Sequence, residues 1–294
     1  MSKNKHWLVP NWPAPVNIHA ATTLRTGGVS NKPYSSLNPA THVNDLKESV
    51  LQNRKVISDM LSLPSEPVWL DQVHSNHIVK AEKAAIPQQA DASYSTESAV
   101  VCAIMTADCL PLLICSNDGQ KIAAIHAGWR GLLSGIISNS ITELTFISPN
   151  TKPDDFLVWL GPAIGPNRFE IGIDVREAFM EKSKLYEIAF KKQINGKYLA
   201  DIYQLAKIEL NTLGINNIYG GTYCTMSEED RFFSYRRDNQ TGRMATLIWK
   251  DYHNEFIGFN HHFYRHWRSI KCNGRCRFFI ATRTTQKSTI TSWH

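Results

Sequence analysis

The chain has 294 residues, of which 43% are hydrophobic, 10% aromatic and 20% charged, with a net charge of +6. This composition excludes disorder, collagen and coiled coil, and the longest apolar runs, such as 100–105, are far short of the roughly 20 residues that span a bilayer. The charge is lopsided: residues 251–294 hold seven Lys or Arg against two acids, so the remainder is nearly neutral and neither nucleic acid nor a membrane is an expected partner.

In chain order, residues 15–25 predict a strand, followed by a turn-rich stretch at 27–33. Leu46, Val50, Ile57 and Leu61 recur at helical spacing and predict a helix over 46–62, with Asp45 and Glu48 as a capping box. Strands are expected at 67–71, 76–81 and 100–106. Apolar runs at 111–116 and 121–126 flank Asn117-Asp118-Gly119-Gln120, a strong hairpin signal. A helix follows over 131–144, then a strand at 156–160 and a helix over 201–213 with Gly214 at its C′ position. Strands at 217–224 and 244–250 complete the set. Helices and strands mix without strict alternation, so the expected class is α+β, as one domain over 1–250.

The chemistry concentrates between Gln72 and Gly131, in Gln72-Val-His74-Ser, Thr106-Ala-Asp108-Cys109-Leu-Pro111 and His126-Ala-Gly-Trp-Arg130-Gly. A hairpin centred on Asp118-Gly119 sets His126 opposite Pro111 and Cys109 opposite Gly128. Cys109 and His126 then lie about 7 Å apart at one open end, close enough for two side chains to share an ion. His74, in a loop, is a candidate third ligand. Two imidazoles and a thiolate suit zinc and leave a fourth position open, the catalytic arrangement. Two alternatives stand beside this: Cys109 and His126 as ordinary core residues, or a metal-free Cys–His nucleophile pair. Cys102 and Cys115 fall inside apolar runs and read as core. His77 differs from His74 by an odd number of positions and is expected to face away.

Arg25, before a Gly-Gly turn, is a candidate phosphate ligand or a strand-end surface charge. Arg130 is a second candidate, or the cap of a carbonyl. Asp108 is a candidate base or water-orienting group, or a structural carboxylate behind the ligands. Tyr235-Arg236-Arg237 reads as a turn, with Arg236 the candidate for substrate contact.

The segments QVHS, ADAS, TADCLPLLIC, AAIHAGWRGLLSGI, LGPAIGPNRFEIG and FFSYRRDNQTGRMA resemble the bacterial family labelled laccase-domain or multicopper polyphenol oxidoreductase. Its members are described as zinc-dependent purine nucleoside phosphorylases with adenosine deaminase activity. The resemblance covers about residues 7–250. It implies a layered α/β/β/α sandwich with mixed sheets, and His74, Cys109 and His126 as ligands of one zinc. It also implies adenosine, inosine or S-methyl-5′-thioadenosine plus phosphate as substrates. Beside these ligands, the residues themselves offer Asp108 and Cys109 as the catalytic candidates and Arg25, Arg130 and Arg236 as the candidates for substrate or phosphate. Copper is not expected, because residues 1–250 hold six histidines and the chain has no His-x-His pair. Two other readings are a metal-free Cys109–His126 hydrolase acting on an amide or peptidoglycan precursor, and a non-catalytic partner protein docking through its basic tail.

Residues 251–294 depart from the family pattern. Cys272, Cys276, His261, His262 and His266 there admit a zinc knuckle, but a family-foreign extension without function is expected, removable without loss of fold or activity. The first six residues lack an apolar stretch, so no signal peptide is expected, and the six cysteines are expected as reduced thiols in a cytoplasm.

Overall fold

A strand that is apolar at every position must be covered on both faces, and the two central runs of this chain are. In the computed structural model, which describes residues 6–251 except Lys83, Ala85, Ser148 and Pro149, the first half of the chain forms β1 (Trp7–Leu8), β2 (Ile18–Thr23), α1 (Lys47–Leu61), β3 (Ile78–Lys80), β4 (Ala92–Ser95), β5 (Cys102–Thr106), β6 (Leu110–Ser116) and β7 (Ile122–Ala127). Then come α2 (Trp129–Ser134), α3 (Ile136–Phe146), β8 (Phe156–Leu160), β9 (Glu170–Ile171), α4 (Ile173–Lys182), β10 (Phe190–Lys192) and β11 (Tyr198–Ala200). The chain continues through α5 (Ile202–Thr212), β12 (Ile218–Gly220), α6 (Tyr235–Asp238) and β13 (Met244–Lys250).

A six-stranded sheet, in the order β12-β8-β6-β7-β4-β3, packs on a four-stranded one, β1-β2-β13-β5; β10, β11 and β9 form a small third sheet. The large sheet is mixed, with β12–β8 and β3–β4 parallel and the other neighbours antiparallel. Alternation along the strands assigns the layers. On β6, Leu112 and Ile114 pack toward α3 and α5, whereas Leu113 and Cys115 meet Cys102, Ile104 and Ile248 of the other sheet. Ala103 and Met105 of β5 face the opposite way, onto Leu37 and Ile57 under α1. The order is therefore helix, sheet, sheet, helix, as the resemblance implied. Cys102 and Cys115 are fully buried between the sheets, and burial pushes both thiols up to about 12.

The β6–β7 register pairs Pro111 with His126, as the turn arithmetic requires. Other expectations are corrected. Asp45 does not cap α1: its carboxylate accepts from Ser30 Oγ and Asn38 Nδ2, tying the preceding loop, and the N-cap is Leu46 without a side-chain bond. Residues 67–71 make only isolated bridges, Val68 to Cys102 and Asp71 to Gln89. The strand at 217–224 shortens to β12. Ala92–Ser95 was not foreseen; its Ala-Ser-Tyr-Ser sequence is buried throughout, between β3 and β7. The expected helix over 131–144 is two helices, broken at Gly135, whose φ is +87°. Glu209 of α5, buried, accepts from Ser138 N and so supplies the N-terminal cap that α3 lacks. α2 itself begins directly after β7, where the site lies.

Beyond β13, Asp251 N donates to Asn17 O and its carboxylate meets His19 Nε2 at 2.6 Å. Residues 252–294, with the expectations attached to them, lie outside the described residues. No described helix is long and apolar enough to cross a membrane.

At Gly135 a side chain would sit at positive φ with its Cβ 2.9 Å from Ser138 Oγ. Gly135→Ala is therefore expected to lower unfolding free energy by about 1–2 kcal/mol in denaturant titration; an unchanged or raised value would mean that the break is not required.

Candidate metal and substrate site

Three segments meet at the open end of the hairpin. His126 lies near the end of β7, Cys109 precedes β6, and His74 comes from the loop before β3. Their ligand-capable atoms all lie within 4.8 Å of one another, with Cys109 Sγ 3.8 Å from His74 Nε2 and the two rings edge to face at 4.7 Å. Two devices place the loop histidine. Gln72 clamps the β5 edge, donating to Met105 O at 2.8 Å and accepting from Met105 N at 2.7 Å. His74 itself stands at a φ of +60°, uncommon for a non-glycine residue and here held by the hydrogen bonds of its neighbours.

The second device is Asp91, which the sequence reading quoted in ADAS but assigned no role. Fully buried, its carboxylate accepts from His126 Nδ1 at 2.7 Å, His74 N at 3.0 Å, and Ser75 N and Oγ at 2.5 and 2.7 Å. Burial alone would raise its pKa, but the His126 ring and Ser75 outweigh burial and hold it at about 2. With Nδ1–H on Asp91, the Nε2 of His126 is the nitrogen turned to the cluster. Burial pushes the Cys109 thiol up, yet the two histidines overcome it and bring it down to about 6. His126 moves the other way: burial lowers it, and Cys109 and Asp91 carry it up to about 9. A cation entering the cluster thus meets a thiolate and replaces one imidazole proton. The cluster also has the room: a Cβ on Gly128 would lie 3.0 Å from His74 Cδ2 and 3.1 Å from Cys109 Sγ, so only glycine leaves these donors undisturbed. The residues present fit a single three-coordinated metal ion. His77 is exposed and is not part of the cluster.

The cluster opens onto a cavity of about 450 Å³, lined in part by Trp129, Phe169 and Tyr235 and by Arg130, Arg236 and Arg243. Arg130, exposed on α2, lies 4.3 Å over the Trp129 ring and makes no ion pair among the described residues. Arg236 donates to Glu170 O at 2.8 Å and lies over Phe169. Arg25 lies outside this cavity. Its Nε donates to Ser35 O and its Nη1 to Glu229 O, so the guanidinium braces two loops instead. Asp108 lines the cavity at a φ of +93°, but its oxygens are engaged by Thr225 Oγ1, Ser234 Oγ and Arg236 N, at 2.6, 3.0 and 2.6 Å. It anchors α6. Arg237 turns inward onto the carbonyls of Thr225, Met226 and Phe232. Sequence reasoning missed Arg243 and His42, both cavity residues; neither stands in a local pattern that marks a site.

Residues 19–251 match the family model described as multi-copper polyphenol oxidoreductase laccase. An Escherichia coli K12 protein named purine nucleoside phosphorylase YfiH is 48% identical over 243 residues, 82% of this chain and 98% of its own length. A Haemophilus influenzae protein named purine nucleoside phosphorylase is 46% identical over 242 residues, 82% of this chain and 97% of its own. The crystal structure of Neisseria meningitidis protein NMB0706 superposes with a TM-score of 0.80 at 45% identity, covering 84% of this chain and all of that one. YlmD from Geobacillus stearothermophilus gives 0.77 at 30% identity, over 86% of this chain and 98% of its own. Sequence, architecture and extent agree, and this chain belongs to the multi-copper polyphenol oxidoreductase laccase family.

Proposed function

We propose that this protein is a purine nucleoside phosphorylase that also deaminates adenosine, working with one zinc ion held by His74, Cys109 and His126. The substrates are adenosine, inosine and S-methyl-5′-thioadenosine with phosphate. The observation that carries the reading is the junction of a one-metal His–Cys–His cluster with an arginine-edged, aromatic-walled cavity of about 450 Å³. The names of the relatives support it. The family description mentions copper. Among the described residues, however, a single group of three metal-capable donors forms, whereas a multicopper centre needs many more imidazoles.

Held by His74, Cys109 and His126, a zinc ion would supply Lewis acidity and a water with its pKa lowered towards about 7, chemistry suited to deamination at adenine C6. The protein groups do the rest. Asp91 holds His126 in one tautomer and orientation, so the donors converge before any ion arrives. Trp129, Phe169 and Tyr235 offer ring faces to a purine. Arg130 and Arg236, exposed at the mouth, draw phosphate in and hold it in line with the ribose anomeric carbon. Asp108 positions α6, and with it Tyr235 and Arg236, through the Arg236 backbone N–H.

A metal-free Cys109 nucleophile is the second reading, favoured by the lowered thiol beside an imidazole that Asp91 orients. His74 at 3.8 Å from the sulfur weighs for the metal, since a thiol–imidazole pair has no need of it. Metal analysis of the purified full chain separates them: one zinc per chain with phosphate-dependent release of purine base supports the first, no metal with amide hydrolysis the second, and copper overturns the zinc assignment.

Cys109→Ala is expected to lower zinc content and abolish deamination, because the softest ligand and its charge are both lost; full zinc and normal turnover would refute the ligand set. Asp91→Asn is expected to keep the fold but reduce metal affinity about 10- to 100-fold, as removal of a ligand-orienting carboxylate does; competition against a chromophoric chelator reads this. His77→Ala is expected to leave zinc content within error of the parent chain, and a loss equal to that in His74→Ala would show that the wrong histidine was chosen.

A further inference from the structure

The cavity holds an arginine that neither the fold nor the metal ligands account for. Arg243 stands on the turn into β13, part-buried, and its Nη1 donates to Thr241 O and Gly242 O, each at 3.0 Å. Its Nε and Nη2 make no hydrogen bond among the described residues, and no carboxylate pairs with it there. Asp108, which lines the same cavity, is already engaged by three donors. The guanidinium lies 6.0 Å from the Tyr235 ring centroid, and its Nε/Nη2 edge, the one suited to bidentate binding of an oxyanion, carries no hydrogen bond among the described residues.

A second observation falls at the same place. In the β5–β13 ladder Met244 pairs with Thr106, so Thr106 and Arg243 lie at the same end of the four-stranded sheet, and both line the cavity. Thr106 is only 2% exposed and lines the same cavity, and its Oγ1 has no hydrogen-bond partner. An orphan hydroxyl and an unpaired cation are each unfavourable in a partly desolvated wall. Both are relieved by one tetrahedral oxyanion with several acceptor oxygens. A purine or ribose hydroxyl carries no charge to answer the guanidinium, so the chemistry favours phosphate.

We propose that Arg243 and Thr106 form the inner phosphate subsite of the cavity, with Arg130 and Arg236 at its mouth. Arg243 lines the same cavity as His74, Cys109 and His126, so phosphate held there shares that cavity with the metal cluster. The inference rests on the phosphorylase reading, which calls for inorganic phosphate, but the ligand can be tested without turnover.

The test is calorimetric titration of the full chain, as purified with its metal, with inorganic phosphate, beside the phosphate KM for inosine cleavage. Arg243→Met is expected to weaken phosphate about 10- to 100-fold in both measurements, the loss of charge-assisted hydrogen bonds, with nucleoside KM and zinc content within twofold. Arg243→Lys recovers part of the loss. Thr106→Val, nearly isosteric, is expected to raise phosphate KM about 3- to 10-fold while the unfolding midpoint holds or rises, since an unpaired buried hydroxyl is removed. That combination is not produced by a merely structural threonine, and it decides the matter if Arg243→Met does not fold. Unchanged phosphate binding in Thr106→Val and in whichever Arg243 variant folds overturns the subsite, as does a parent chain that binds no phosphate. Arg243-dependent phosphate binding in a parent chain that cleaves no nucleoside leaves the subsite standing and overturns the phosphorylase reading.

Discussion

The buried carboxylate of Asp91 accepts from the His126 ring and from the backbone of His74 and Ser75. A buried, ionised carboxylate is tolerated only when its lone pairs are met, so these segments are obliged to stay together. That obligation keeps a loop histidine, otherwise exposed and at positive φ, against a strand histidine and a thiol. Remove the carboxylate and the strand and hairpin remain, but nothing compels the loop to present His74.

The sandwich contributes the other half of the geometry. β6 and β7 are covered on both faces, so their ends, not their faces, are where polar side chains can reach solvent and ligand. Cys109 and His126 occupy that end, and α2 starts there directly after β7, with Gly128 as its N-cap. Trp129 and Arg130, its first two residues, are thereby brought to the cavity. The wall from the other sheet comes from the β5 and β13 ends, Thr106 and Arg243, aligned by an antiparallel ladder. The site is thus shared between the two sheets, which gives a stability reason for their register as well as a chemical one.

The charges divide the cavity by task. The thiolate and two imidazoles gather at one point, while the guanidinium groups line the approach. Asp108, the carboxylate that lines the cavity, is consumed by three protein donors, so the field met by an incoming ligand is positive. A neutral nucleoside and an anionic co-substrate can occupy such a cavity together. Two dianions in the same space would repel.

Much of the fold was legible in the residues. Asp118-Gly119 between two apolar runs set the β6–β7 register, and that register put Cys109 and His126 at one end; both follow from interactions within twenty residues. The apolar stripe of α1, the Gly214 stop of α5, and the strand character of β5, β8 and β13 are local signals of the same kind. What tertiary structure decided came from partners far apart in the chain. Asp45 abandoned its helix for the loop at Ser30 and Asn38; Gly135 bent the chain because Glu209, 71 residues away from Ser138, could cap what followed. Ala92–Ser95 became a strand because β3 and β7 enclosed it, not because of its own propensity. Asp91 acquired its role from His126, 35 residues on, and Arg25 lost its proposed one to carbonyls at Ser35 and Glu229. Period and turn chemistry act over a few residues and are written in order along the chain. A hydrogen bond to a buried carboxylate, or an arginine left with a free edge, exists only once the chain has closed on itself.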